Sequence, residues 1–140
     1  MDFDTVPARD FGHALRAISL NLLCRNVGAE VAFLQQTFRM EVFRQSKDFA
    51  ILVHAGQPFQ LHSDAAFASN PLTTLLPESG VRGAGLEIRL HEADPDFAAE
   101  TAEAAGGMVL QPPTDKRGHG LREAIILSPS GYAFVPSRRI

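Results

Sequence analysis

An α+β fold of two tandem strand-helix-strand-strand-strand modules is the architecture this sequence predicts, and three observations predict it. Two alternating apolar-polar runs, residues 18–23 and 86–91, recur at an offset of 68 positions. Each run meets a helix start at the same offset, Asn26 in the first case and Asp94 in the second. Each helix is then followed by a short strand and a hairpin. Period-2 alternation marks a strand with one buried face, and self-similarity at a fixed offset marks a duplicated unit.

Residues 1–17 have no repeat partner and form an N-terminal arm. Phe11, Leu15 and Ile18 suit a segment that covers a sheet edge or a partner subunit; a loosely held terminus is the plainer alternative. The first module spans 18–64. Its opening strand leads to Asn26, an N-cap for a helix over about 29–38, with Val31, Leu34, Gln35 and Phe38 on one face. Residues 40–43 form the next strand. A hairpin of 49–54 and 59–62 follows, turning at Ala55-Gly56-Gln57-Pro58. The linker, 65–84, carries Pro71, Pro77, Gly80 and Gly83, with room for a short helix near 72–76. The second module spans 85–137. There Asp94-Pro95-Asp96 supplies a cap, a proline at the first helical position and an acid in the first turn of a helix reaching about residue 105. Gly106-Gly107 stops it. Strand 108–111 and a hairpin of 122–127 and 132–135, turning at Ser128-Pro129-Ser130-Gly131, complete the repeat.

The 140 residues are 45% apolar and 21% charged, with 13 Lys plus Arg against 16 Asp plus Glu. This is enough chain for one well-buried core. No basic run extends beyond Arg138-Arg139, so the sequence lacks the charge pattern that holds a phosphate backbone, and nucleic acid is not expected as a partner. The apolar stretch 17–24 is interrupted by Ser19 and Asn21 and falls well short of the ~20 residues that span a bilayer. The acidic start Met1-Asp2-Phe3-Asp4 is unlike a signal peptide, and a cytoplasmic protein without membrane contact is expected. Cys24 is the only cysteine. That excludes internal disulfides and a Cys-rich zinc site, and its apolar surroundings read as those of a buried thiol.

The tandem modules, the Asp-Pro-Asp helix start and the closing stretch Leu121-Arg122-Glu123-Ala124-Ile125-Ile126-Leu127-Ser128-Pro129-Ser130-Gly131-Tyr132 together resemble the glyoxalase, bleomycin-resistance and extradiol-dioxygenase superfamily, also called vicinal oxygen chelate. The resemblance covers about residues 17–137. That family commonly has Asp-Pro-Asp-Gly in the closing turn; Ser128 and Ser130 stand in place of the two acids, leaving Pro129 and Gly131 to make the turn. The resemblance implies an open barrel with helices outside, each sheet curling into one half around a cavity. Leu20, Leu22, Phe59, Leu61, Ile88 and Leu90 would then meet the helices. Ser19, Asn21, Gln60, His62, Glu87 and Arg89 would line the cavity as ligand-binding residues.

Metal-dependent members of that family use four inward positions, which fall here on Ser19, Gln60, Glu87 and Val135. Ser is a poor ligand and Val none, too few donors for a catalytic transition metal, so the usual metal site is expected to be absent and no cofactor is expected. A displaced divalent site of Gln60, His62 and Glu87 is the alternative; the simpler role for His62 is a hydrogen bond to a neighbour. His13, His54, His91 and His119 show no His-x-x-x-His or His-Glu-x-x-His spacing. Glu87 is the one candidate for a catalytic base, and Glu87 with Arg89 either hold a polar ligand or pair on the surface. Arg122-Glu123 reads most simply as an ion pair or hydrogen bonds that fix strand register. Three functions follow: a metal-free small-molecule binding protein like the bleomycin-resistance members, with no Trp and a single Tyr to build an aromatic clamp; a metal-dependent lyase, isomerase or dioxygenase with a nonstandard site; and a dimeric domain without chemistry. The first leads, as a homodimer.

Overall fold

The computed structural model describes residues 1–140, the side chain of Ala84 set aside. A short helix α1 (Ala8–Ala14) precedes the first module, which runs β1 (Asn21–Cys24), α2 (Val27–Phe38), β2 (Glu41–Phe43), β3 (Phe49–His54) and β4 (Gln57–Ser63). Two 3-10 turns, Ala65–Phe67 and Pro71–Thr74, lie in the linker. The second module runs β5 (Gly83–Leu90), α3 (Pro95–Thr101), β6 (Met108–Lys116), β7 (Leu121–Leu127) and β8 (Tyr132–Arg139). Each module forms a four-stranded mixed sheet, ordered β1-β4-β3-β2 and β5-β8-β7-β6. In both, the first strand pairs parallel with the last, Asn21 against Gln60 and Arg89 against Val135. A parallel pair cannot be closed by a tight turn, and the helix with two antiparallel strands supplies the crossover. No helix among the described residues is long and apolar enough to cross a membrane.

Local chemistry sets the helix starts. Asn26 accepts from the Ala29 N–H at 3.0 Å, so α2 begins directly after it, two residues earlier than its apolar face suggests. Asp94 accepts from the Asp96 and Phe97 N–H groups, satisfying donors that a helix start leaves open. The second helix is shorter than its composition suggests: α3 ends at Thr101, and 102–106 continue as turns to Gly106 at φ +95. Strand β6 runs on through Pro112-Pro113, tolerated because β6 is an outer strand and its register shifts there. Residues 18–20 precede the β1 ladder, although the Leu20 carbonyl accepts from the Gln60 N–H.

Helix α2 is buried on more than the single stripe that its periodicity suggests. Val31, Leu34 and Phe38 are buried as that stripe requires, but so are Glu30, Phe33 and Thr37, while Gln35 is exposed. The reason is that α2 packs against both modules. Phe33 and Phe38 meet edge-on at 5.4 Å, and both reach Phe134 of β8, at 6.1 and 5.5 Å. The helix-facing rows of both sheets, including Leu22, Leu52, Leu61, Ile88, Leu90 and Ile126, join one core with these rings.

The turn before β8 locks the modules together. Gly131 sits at φ +86, and a Cβ there would fall 2.5 Å from the Val81 Cα, so only glycine fits. The Ser130 N–H donates to the fully buried Glu30 carboxylate, the Arg25 N–H donates to Ser130 Oγ, and the Tyr132 hydroxyl donates to the Leu23 carbonyl at 2.8 Å. Burial pushes the Glu30 carboxyl above its usual range, opposed by its hydrogen bonds to Ser130 and Ser128. A carboxyl whose proton is held more tightly in the folded chain loses stability as pH rises from the unfolded value through the folded one. Glu30→Gln keeps an acceptor for Ser130 without the charge. Urea midpoints between pH 5 and 8 are therefore expected to fall with pH in the wild type and to be flatter, and higher at pH 8, in E30Q.

Candidate functional site

Strand alternation gives each sheet a second face, turned away from the helices, and the polar residues singled out in the sequence stand there. On the first sheet, Asn21, Gln60, Ile51 and Phe43 form one cross-strand row, and Leu23, His62 and Phe49 the next. The His62 ring lies between Phe49, at 4.8 Å, and Phe67, at 4.4 Å. Burial lowers its proton affinity. Nδ1 stands 2.6 Å from Asn21 Oδ1, an acceptor, so the neutral ring donates through this nitrogen. The residues of this face toward β2 are not open: Val6 and Phe11 of the N-terminal arm form a cluster with Ile51, onto which Phe3, Leu15, Phe43 and Phe49 pack. The arm thus covers a sheet face of its own chain.

On the second sheet the corresponding face carries a charged group. Arg89 stands between two carboxylates, 3.4 Å from Glu87 and in direct contact with Glu123. The Glu123 side chain is only 7% exposed, and His119 Nε2 lies 3.4 Å from the same oxygen that Arg89 holds. Glu123 pairs across the ladder with the buried Ser137, whose hydroxyl is 3.2 Å from His91 Nδ1. Neither Glu123 nor His119 is among the residues expected to line a cavity. Arg122 does serve register: it bonds Asp115, directly opposite on β6, at 3.0 Å, and Asp96 on α3 at 2.8 Å. Alternation then sends the adjacent Glu123 to the other side, where Arg89 meets it. That parity was the available signal.

Between the modules, where 18–20 run beside β5, lies a cleft of about 380 Å³. Ile18, Leu20, Phe59, Leu86 and Ile88 give it apolar walls, and Ser19, His54, Gln57, Glu87 and Arg89 contribute polar groups. His54 is fixed by donating from Nε2 to the His91 carbonyl at 2.6 Å. Of the sequence-predicted residues, the cleft brings together Ser19, Glu87 and Arg89. Asn21, Gln60 and His62 are not among its walls and form their own group on the first sheet.

The donor set does not fit the metal that the resemblance implies. Its four positions hold a hydroxyl, an amide, a carboxylate and a valine, and Glu87 is already paired with Arg89. Among the described residues, no three His, Cys, Asp or Glu side chains come together as a ligand group. Cys24 is fully buried, and burial raises its thiol beyond the range in which it would ionise near neutral pH.

Comparison with known proteins shows the fold. A glyoxalase/bleomycin resistance protein/dioxygenase family enzyme from Burkholderia phytofirmans PsJN is similar at 20% identity with a TM-score of 0.70, over 87% of this chain and 97% of that one. A glyoxalase-related enzyme from Fulvimarina pelagi is similar at 14% identity and a TM-score of 0.69, over 89% of both chains. The fosfomycin resistance protein FosX from Mesorhizobium loti is similar at 12% identity and 0.62, over 89% of this chain and 92% of that one. No family model and no curated protein matches the sequence. The chain has the glyoxalase-like fold of these proteins.

Proposed function

On this fold we propose that the protein binds a small molecule in the cleft between its modules, without the four-position metal site of metal-dependent relatives. One observation carries the reading: apolar walls and convergent polar groups, Ser19, Glu87 and Arg89 among them, share one concave space. A mostly apolar cleft with a few placed polar groups suits a ligand with an apolar body and a hydrogen-bonding end. The donor chemistry of Ser19 and Val135 supports the metal-free part. Ile18 and Leu86 at the cleft are 83% and 51% exposed, which supports a homodimer that covers them. A cytoplasmic setting belongs to the same proposal.

Native mass spectrometry of protein purified without chelator or affinity nickel tests it. The expected spectrum is a dimer without stoichiometric metal, carrying an organic mass. Glu87→Gln removes a charge from the cleft and is expected to weaken retention of that mass about tenfold, as the loss of one charge-assisted hydrogen bond does. A stoichiometric divalent metal would overturn the metal-free reading in favour of a metal-dependent enzyme, although Gln60 and His62 stand apart from the cleft that Glu87 lines.

A further inference from the structure

Where the end of α2, the turn between β3 and β4 and the start of α3 meet, the surface sinks into a hollow of about 610 Å³. It shares only His54 with the cleft between the modules. Phe38 and Phe97 give it an apolar side, and Thr37, Arg39, Glu92 and Asp94 bring a hydroxyl and charges of both signs.

The polar groups of this wall are left unmatched. Thr37 is 1% exposed, and among the described residues its hydroxyl has no hydrogen-bond partner, although a helical threonine can turn it to the carbonyl of the preceding turn. A buried hydroxyl without a partner costs stability, so its retention needs a reason. The carbonyls of residues 36–38, the negative end of α2, accept no backbone N–H among the described residues. Arg39 follows them at φ +55, a position that favours glycine, and holds its guanidinium 3.9 Å over the Phe97 ring. Stacking covers the face of a guanidinium and leaves the N–H groups at its rim free to donate. Asp94 caps α3 through Oδ1 alone. None of the ion pairs among the described residues includes Arg39, Glu92 or Asp94, so a cation and two carboxylates line one space without closing on one another. Of the five non-glycine residues at positive φ among the described residues, three, Arg39, Ala55 and Glu92, stand in this wall. Strain of that kind gathers at ligand sites.

We infer that this hollow binds a small zwitterion, an α-amino acid with an apolar side chain. Arg39 receives the carboxylate on its free N–H groups, and the end of α2 with Glu92 and Asp94 receives the ammonium. Phe38 and Phe97 flank the side chain, and the Thr37 hydroxyl adds a hydrogen bond. The two carboxylates disfavour a simple anion and Arg39 disfavours a simple cation, whereas a ligand carrying both charges satisfies both. The site is distinct from the cleft between the modules and stands without it.

The test is an NMR titration of the labelled full chain with L-leucine and with two analogues of the same carbon skeleton, isocaproate, which lacks the ammonium, and isoamylamine, which lacks the carboxylate. Leucine is expected to shift the amides of residues 37–39 and 92–97, and each analogue to bind about tenfold more weakly, as the loss of a charge-assisted hydrogen bond does. Arg39→Gln and Glu92→Gln, both at exposed positions, should each weaken leucine by a similar factor. Thr37→Val keeps the shape of the side chain and removes the hydroxyl. The urea midpoint of its free form should rise, because an unmatched buried group is gone, while its leucine affinity falls, a pair of opposite effects that a merely structural threonine would not give. Glu87→Gln, which alters the other cleft, should leave leucine binding unchanged. Leucine binding lost in E87Q would place the amino acid in that cleft and overturn the proposal. No shift at millimolar leucine, an analogue that binds as tightly as leucine, or leucine affinity unaltered in R39Q or T37V would overturn it as well.

Discussion

Replacing Phe134 by alanine is expected to lower stability by about 3–5 kcal/mol, enough to leave a substantial part of the protein unfolded at physiological temperature. The ring is fully buried in β8 and packs on Phe33 and Phe38 of α2, which belongs to the other module. Its removal leaves a cavity where the modules share their core, and neither sheet can close the gap without moving α2, which both sheets need. The effect is read as a fall in the urea midpoint. Leu75→Ala serves as the control: Leu75 is 79% exposed, and its loss should change stability by no more than about 0.5 kcal/mol. Two separate unfolding transitions in the Phe134→Ala protein would show that the modules hold together without this contact.

Arg89→Ala is expected to act on stability and binding at once. It leaves the Glu123 carboxylate, 7% exposed, without its cation, with only His119 beside it. Removing one partner of a fully buried ion pair costs about 3–5 kcal/mol. Arg89 itself is 30% exposed, so water softens the loss, and about 1–3 kcal/mol is expected. Adding Glu123→Gln should recover much of that stability, since the orphaned charge is gone, but should not restore binding of the ligand proposed for the cleft, because Arg89 lines the cleft and Glu123 does not. A double-mutant cycle by urea denaturation reads the first effect, and the mass retained in native mass spectrometry reads the second. Equal stability of wild type and Arg89→Ala would mean that the pair is open to solvent and contributes nothing.

The fold was legible in the sequence because its signals are local. Asn26 and Asp94 cap the two helices as their side-chain chemistry requires, the 68-residue offset carries the duplication, and Gly131 needs the positive φ that its turn imposes. What depended on tertiary partners was not legible. The burial of Glu30, Phe33 and Thr37 comes from a second module lying against α2, which no helical period encodes. Residues 1–15 show no repeat, and their place on β2 and β3 follows from which apolar face lacked a helix. Strand parity and family position put Ser19, Glu87 and Arg89 on one face, and these three line the candidate cleft. Glu123 could have been found by the same parity, but its neighbour Arg122 offered a sufficient structural reason for the pair. Gln60 and His62 have the parity expected of cavity residues, yet alternation states only which face a residue takes and not which cleft that face meets.

The pair of prolines in β6 has a consequence for the protein in a crowded solution. A sheet with a long outer strand invites another chain to add to it, and repeated addition builds a fibril. Strand β2 is too short, at three residues, to template much of this, whereas β6 has nine. Met108 and Leu110, at its first residues, are 59% and 54% exposed, which would make it adhesive. Pro112 and Pro113 remove two consecutive amide donors from its middle, and the register shift beside them bends the backbone there. An incoming strand could pair with a few residues of β6 and go no further, so this edge of the second sheet can leave apolar residues uncovered and still resist strand addition.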